Sequence, residues 1–228
     1  MNQTTRHTLP WLIRWSEWHA ALMLVVGGFA LASLPQAWAA AGAALSFAGL
    51  LVLGRRAWTP DGRFGAANAV TLLRCLATLM LAAMPALGVA VTVGLALVIL
   101  LLDGLDGWLA RRAGTCSEFG EYFDKEVDAF FMLVLCLILY RDQHLGAWVL
   151  LPGGLRYLFV WFLKIAQPPR RKETATRYGK FVGVFSLGVL MFCLLPLPHY
   201  CAPLAAAATL ALLCSFALSL RQIYAGSA

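Results

Sequence analysis

Long apolar runs separated by short polar links recur along the whole chain, each close to the ~20 residues needed to cross ~30 Å of hydrocarbon. They predict eight spans, at roughly 19–34, 37–54, 68–84, 87–103, 121–140, 146–165, 178–196 and 202–220. Pro35, Pro85, Pro152, Pro168, Pro169, Pro196 and Pro198 lie at or near the connections, where helix breakers belong. No internal repeat or low-complexity linker is visible. The fold class implied is all-α, a polytopic transmembrane helical bundle of about eight spans.

Composition agrees. Of 228 residues, 61% are hydrophobic and only 13% charged, too little polar surface for a soluble domain of this size. The net charge of +7 raises nucleic acid as a partner, but the basic residues form no stripe and sit in the links between spans. Membrane topology accounts for them. With the N-terminus in the cytoplasm, basic residues from Arg6 and Arg14 through Arg55, Arg56, Arg63, Arg111, Arg112 and Lys164 to Arg170, Arg171, Lys172, Arg177, Lys180 and Arg221 fall on or near the cytoplasmic side. Arg141 alone lands in an outer loop. The location this implies is a bacterial inner (cell) membrane. Residues 20–34 followed by Ala37-Trp38-Ala39 have the outline of a signal peptide, but the apolar pattern resumes at once and Pro35-Gln36 suits a tight outer turn. The six cysteines form no CxxC pair and read as small apolar packing residues rather than disulfides or ligands. The four histidines are scattered away from the acidic segment and are assigned no catalytic role.

Seven of the eleven acidic residues lie between Asp103 and Asp128, where the fourth and fifth spans meet. Carboxylates near hydrocarbon are expensive and seldom stand there without a cation, a proton path or a metal. Asp103 and Asp106, spaced i, i+3, share a face at the end of span four; Asp124 and Asp128, spaced i, i+4, share one at the start of span five. The spans are antiparallel and joined on the cytoplasmic side, so the four carboxylates can converge. Oxygen donors without Cys or His suit Mg²⁺ or Mn²⁺. Two ions ~3.5–4 Å apart are feasible, the arrangement that clamps both oxygens of a phosphoryl displacement. Gly107 and Gly120 would let a ligand or another backbone come close, and Arg111 can grip a phosphate in bidentate fashion. Metals plus arginine point to a phosphate-rich substrate. Glu118, Glu121 and Glu126 read as ordinary surface or supporting residues of the cytoplasmic link.

The pattern Asp103-x2-Asp106-Gly107-x2-Ala110-Arg111-x8-Gly120-x3-Asp124-x3-Asp128 resembles, at every fixed position, the signature of the CDP-alcohol phosphotransferase family. The resemblance runs from about residue 66 to 222. It divides the chain into an N-terminal segment, 1–65, with two extra helices that carry no motif, and a six-helix core, 66–228. What it implies is a membrane enzyme of phospholipid biosynthesis, a homodimer with a cytoplasm-facing active site. An alcohol attacks the lipid-side phosphate of a CDP-linked donor, with CDP-diacylglycerol the expected one, and CMP leaves. By the same resemblance Asp103, Asp106 and Asp124 hold metal, while Asp128 contacts a second ion and acts as base toward the acceptor hydroxyl. Gly107, Ala110 and Arg111 line the nucleotide pocket. Asn68-x2-Thr71-x2-Arg74 resembles the opening of the family's first core helix, with Ala67 where proline is usual. These three make a polar stripe on an apolar span; interhelical hydrogen bonding explains Asn68 and Thr71 as well as ligand binding does, whereas Arg74, more than a turn inside, calls for an ion-pair or anion partner.

On the acceptor side, Arg156 lies midway along span six and is expected to face the bundle interior. With Arg177 and Lys180 it could bind a phosphorylated alcohol such as glycerol 3-phosphate or inositol phosphate. Plain cytoplasmic anchoring is the competing reading of Arg177 and Lys180. Tyr178-Gly179-Lys180 weakly resembles the Gly-Lys of phosphatidylglycerophosphate synthases, but the continuation Phe181-Val-Gly183 differs. A different class of function, a divalent-cation transporter using the aspartates as its site, is disfavoured because the acids cluster at one interface and no repeat is evident.

Overall fold

The computed structural model describes residues 10–31, 36–84, 87–113, 116–142, 145–167, 177–195 and 198–225. Each expected span becomes one helix: α1 (Pro10–Leu31), α2 (Gln36–Leu53), α3 (Ala66–Ala83), α4 (Val89–Ala113), α5 (Glu118–Arg141), α6 (Leu150–Ala166), α7 (Arg177–Phe192) and α8 (Pro198–Ala225). A 3-10 turn, Ala147–Val149, leads into α6. Among the described residues there is no strand. Four stretches, Ala66–Ala83, Val89–Leu109, Ala147–Ala166 and His199–Tyr224, are long and apolar enough to cross a membrane; Ala37–Leu53 and Tyr178–Phe192 are shorter apolar helices. Trp18, Trp38, Leu45, Leu101, Ile165 and Phe181 stand out from the bundle. Large apolar side chains exposed on so many helices suit lipid, not water.

Two boundaries differ from expectation. α1 begins at Pro10 rather than near residue 19. Proline is favoured in the first helical turn, and the polar residues that broke the hydropathy pattern are accommodated by pairing: Glu17 meets Lys164 of α6 at 3.2 Å. α4 runs to Ala113 instead of ending near residue 103, so the whole Asp103–Arg111 motif is helical.

α5 is the hub, packing against α1, α3, α6 and α7. Phe119, Phe123, Val127, Phe130, Phe131 and Leu135 are all buried. Phe47 of α2 lies with its ring 6.3 Å from Phe123 and 5.5 Å from Phe130. Glycine permits the closest approaches. A Cβ on Gly153 of α6 would come within 2.7 Å of the Leu133 Cα, so the α5 and α6 backbones meet over a missing side chain, as small residues allow in membrane bundles. α3 pairs with α4 and α7 with α8, while α1 and α2 pack on one another and cover α6 and α3 respectively.

Candidate active site

Two helices aim carboxylates and a third an arginine at one point because their inward faces are continuous. On α4, buried Thr92, Ala96 and Ile99 lead by steps of three or four to Asp103. On α3, Asn68, Thr71, Arg74, Thr78 and Leu81 form the buried stripe. α5 contributes Asp124 and Asp128 one turn apart.

Arg74 is where they meet. Its side chain is 1% exposed, and it pairs with Asp103 at 2.8 Å, with Asp124 at 2.7 Å, and with Asp128. The aspartates are 25%, 39% and 38% exposed, so the guanidinium forms the floor and the carboxylates open above it. One oxygen from each aspartate lies within 4.8 Å of the others. Among the described residues, one guanidinium faces three carboxylates, so acidic groups outnumber the basic one. That excess of carboxylates and an all-oxygen donor set fit a hard divalent cation.

A polar knot fixes the register of α3 against α5. Asn68 Nδ2 donates to the carbonyls of Trp58 (2.9 Å) and Phe64 (2.7 Å). Ser117 Oγ donates to the same Trp58 carbonyl at 2.6 Å and accepts from Gly120 N–H at 3.0 Å, capping α5. Gly120 is the close-approach point: a Cβ there would sit 3.0 Å from Asn68 Oδ1. Arg74, a turn and a half beyond Asn68, therefore meets Asp124, one turn beyond Gly120. Thr71 Oγ1 donates to the Ala67 carbonyl at 3.1 Å and Thr78 Oγ1 to that of Arg74 at 2.8 Å.

Of the other expected site residues, Gly107 is half-buried on α4 and Lys180 is exposed on α7. The side chains of Asp106, Ala110, Arg111 and Arg177 lie outside the described residues. Arg156 does turn inward, and there it meets Glu126 at 3.0 Å. Glu126 is fully buried, not a residue of a solvated link. It also accepts from Ser16 of α1 at 3.0 Å. Lying two residues from both Asp124 and Asp128, it projects from the opposite side of α5. Around it gather buried His19, which contacts Ser46 Oγ at 2.8 Å and stacks on Trp15, and buried Tyr157. The first two helices thus supply half of an internal polar layer. The sequence carried half of this signal: an inward mid-span arginine calls for a partner, but nothing in the spacing singles out Glu126.

The sequence of α3 through α8 supplies the decisive comparison. A family model described as CDP-alcohol phosphatidyltransferase matches residues 64–220. The chain belongs to that family. It is also 32% identical over 129 residues to a CDP-diacylglycerol–glycerol-3-phosphate 3-phosphatidyltransferase of Treponema pallidum, strain Nichols. The alignment covers 54% of this chain and 60% of that relative, so the chain spans less than two thirds of the relative's length. Within the family match lie all three clustered aspartates and Arg74; α1 and α2 lie before it.

Proposed function

We propose that the chain is a membrane phosphatidyltransferase that joins a CDP-linked lipid, CDP-diacylglycerol, to the hydroxyl of a small alcohol with release of CMP. The observation that carries this reading is the convergence of Asp103, Asp124 and Asp128 over buried Arg74. Asp103, Asp124 and Asp128, joined by Asp106, would hold Mg²⁺ or Mn²⁺, which when bound offsets the negative charge of the donor's diphosphate. Arg74 holds the carboxylates in register from below. Asp128 takes the proton of the acceptor hydroxyl as the alcohol oxygen bonds to the lipid-side phosphorus. The bond from that phosphorus to the diphosphate bridging oxygen breaks, and CMP departs with the bridge. Gly107, Ala110 and Arg111 would line the nucleotide pocket. Glycerol 3-phosphate is the first acceptor to test, because the Treponema relative is named for it. Arg177 and Lys180 at the start of α7 are proposed to meet its phosphate, with Arg156 drawn from Glu126 to assist.

The site and the N-terminus face the cytoplasm of a bacterial inner membrane, the orientation that places Arg55, Arg56, Arg63, Lys164 and Lys180 inside. The protein works as a homodimer, with 66–228 the catalytic core and 1–65 an added pair of helices. Purified protein given radiolabelled CDP-diacylglycerol, glycerol 3-phosphate and Mn²⁺ releases CMP, and Asp128→Asn abolishes the release. Flux of Mn²⁺ into proteoliposomes with no CMP formed under any acceptor would instead identify a cation transporter.

A further inference from the structure

The end of the bundle away from the aspartates holds two cysteines that no part of the proposed reaction uses. Cys193 follows the last turn of α7 and Cys201 sits in the first turn of α8. Cys193 Sγ lies 3.5 Å from the Cys201 carbonyl oxygen, and Cys201 Sγ lies 3.8 Å from that of Cys193. Both residues are buried, at 0% and 1% exposure. Each sulfur touching the other residue's backbone requires the two chain segments to lie side by side. A disulfide needs neighbouring segments of this kind, since its Cα atoms stand ~4.4–6.8 Å apart. In the structure both are free thiols.

Charge indicates which compartment this end faces. Arg177 and Lys180 open α7 and Arg221 lies in the last turns of α8, whereas 193–201 contains no Lys or Arg. α7 and α8 are paired neighbours, so the cysteine end is opposite the basic end. The positive-inside rule puts it outside the cytoplasm, where disulfides form and persist.

We propose that Cys193 and Cys201 form an intramolecular disulfide that ties α7 to α8 at the outer membrane face. The oxidant is a protein or small-molecule disulfide of that compartment. A thiolate of the pair attacks it, a mixed disulfide forms, and the second cysteine displaces the carrier. One S–S bond is gained within the chain, the two cysteines lose two electrons and two protons, and the oxidant's disulfide is reduced to two thiols. The exchange takes place during insertion, before α7 and α8 close over the sulfurs. The proposal rests on the orientation proposed above and not on the proposed activity, so the CMP assay and a thiol count succeed or fail separately.

The test uses the full chain, expressed in a bacterium with an intact thiol-oxidising periplasm and denatured in SDS with a maleimide–polyethylene glycol. Four of the six cysteines should react before reduction and all six after it. Peptide mass mapping should find residues 193 and 201 in one linked product, lighter by two hydrogens than the reduced pair. In Cys193→Ser and in Cys201→Ser all five remaining thiols should react with or without reductant. Six reactive thiols in the unreduced wild-type chain, or a protected pair other than 193 and 201, would overturn the proposal.

Discussion

Arg74→Met removes the guanidinium that pairs with Asp103, Asp124 and Asp128 while keeping most of the buried stem. Two unit charges 4.8 Å apart, the outer separation of the ligand oxygens, repel by about 3.5 kcal/mol at an effective dielectric of 20 and by about 0.9 kcal/mol in bulk water. The carboxylates are 25–39% exposed, so water screens part of this and the lower half of the range applies to each pair. Loss of a buried ion-pair partner typically costs ~3–5 kcal/mol; the open side of this cluster reduces that to about 2–4 kcal/mol. At ~2–4 °C per kcal/mol for a chain of this size, the variant in detergent with EDTA should melt about 4–16 °C below wild type by intrinsic tryptophan fluorescence. Millimolar Mn²⁺ should then raise its melting temperature by more than it raises that of wild type, since the ion replaces a missing charge instead of competing with one. CMP release should fall by ~10²-fold, the scale expected when reacting groups shift by about 1 Å. Equal melting temperatures in EDTA, together with equal responses to Mn²⁺, would refute the claim that Arg74 neutralises the cluster.

Asp103→Ala and Asp124→Ala should each abolish CMP release and the Mn²⁺-dependent rise in melting temperature together; full Mn²⁺ stabilisation of both variants would remove them as ligands. Glu126→Ala leaves Arg156 facing a buried site without its carboxylate and should destabilise the chain by ~3–5 kcal/mol. Glu126→Leu combined with Arg156→Met should recover most of that loss, and denaturation of the three variants side by side checks it. A methyl group added by Gly153→Ala meets the Leu133 Cα at 2.7 Å and should cost ~1–3 kcal/mol through overpacking, read from the same melts.

Much of this arrangement was legible before any coordinates. The number of helices followed from the apolar runs. Of the four aspartates expected to converge, Asp103, Asp124 and Asp128 do so, as their place on adjoining antiparallel helices implied, while the Asp106 side chain lies outside the described residues. The inward turn of Arg156 followed from the expense of placing its charge in lipid. What hydropathy hides is a charge satisfied inside the bundle. Glu17 broke the apolar pattern of α1 and so displaced its expected start, yet its partner Lys164 is nearly 150 residues away in sequence. Glu126 reads as a residue of a polar link because Asp124, Lys125 and Asp128 surround it; only the rotation of α5 separates its face from theirs. The same limit applied to Arg74, whose need for a partner could be seen but whose three partners on two other helices could not. Cys193 and Cys201 carry no spacing motif, and only the antiparallel pairing of α7 with α8 brings them together.

The central claim is that the three aspartates above Arg74 form a divalent-cation centre facing a nucleotide. Crystals of the protein grown with CDP and millimolar Mn²⁺ would test it through anomalous scattering at the manganese edge. The expected result is Mn²⁺ coordinated by Asp103, Asp124 and Asp128, in contact with the diphosphate. Ordered nucleotide bound elsewhere, with no manganese peak between these carboxylates, would contradict it.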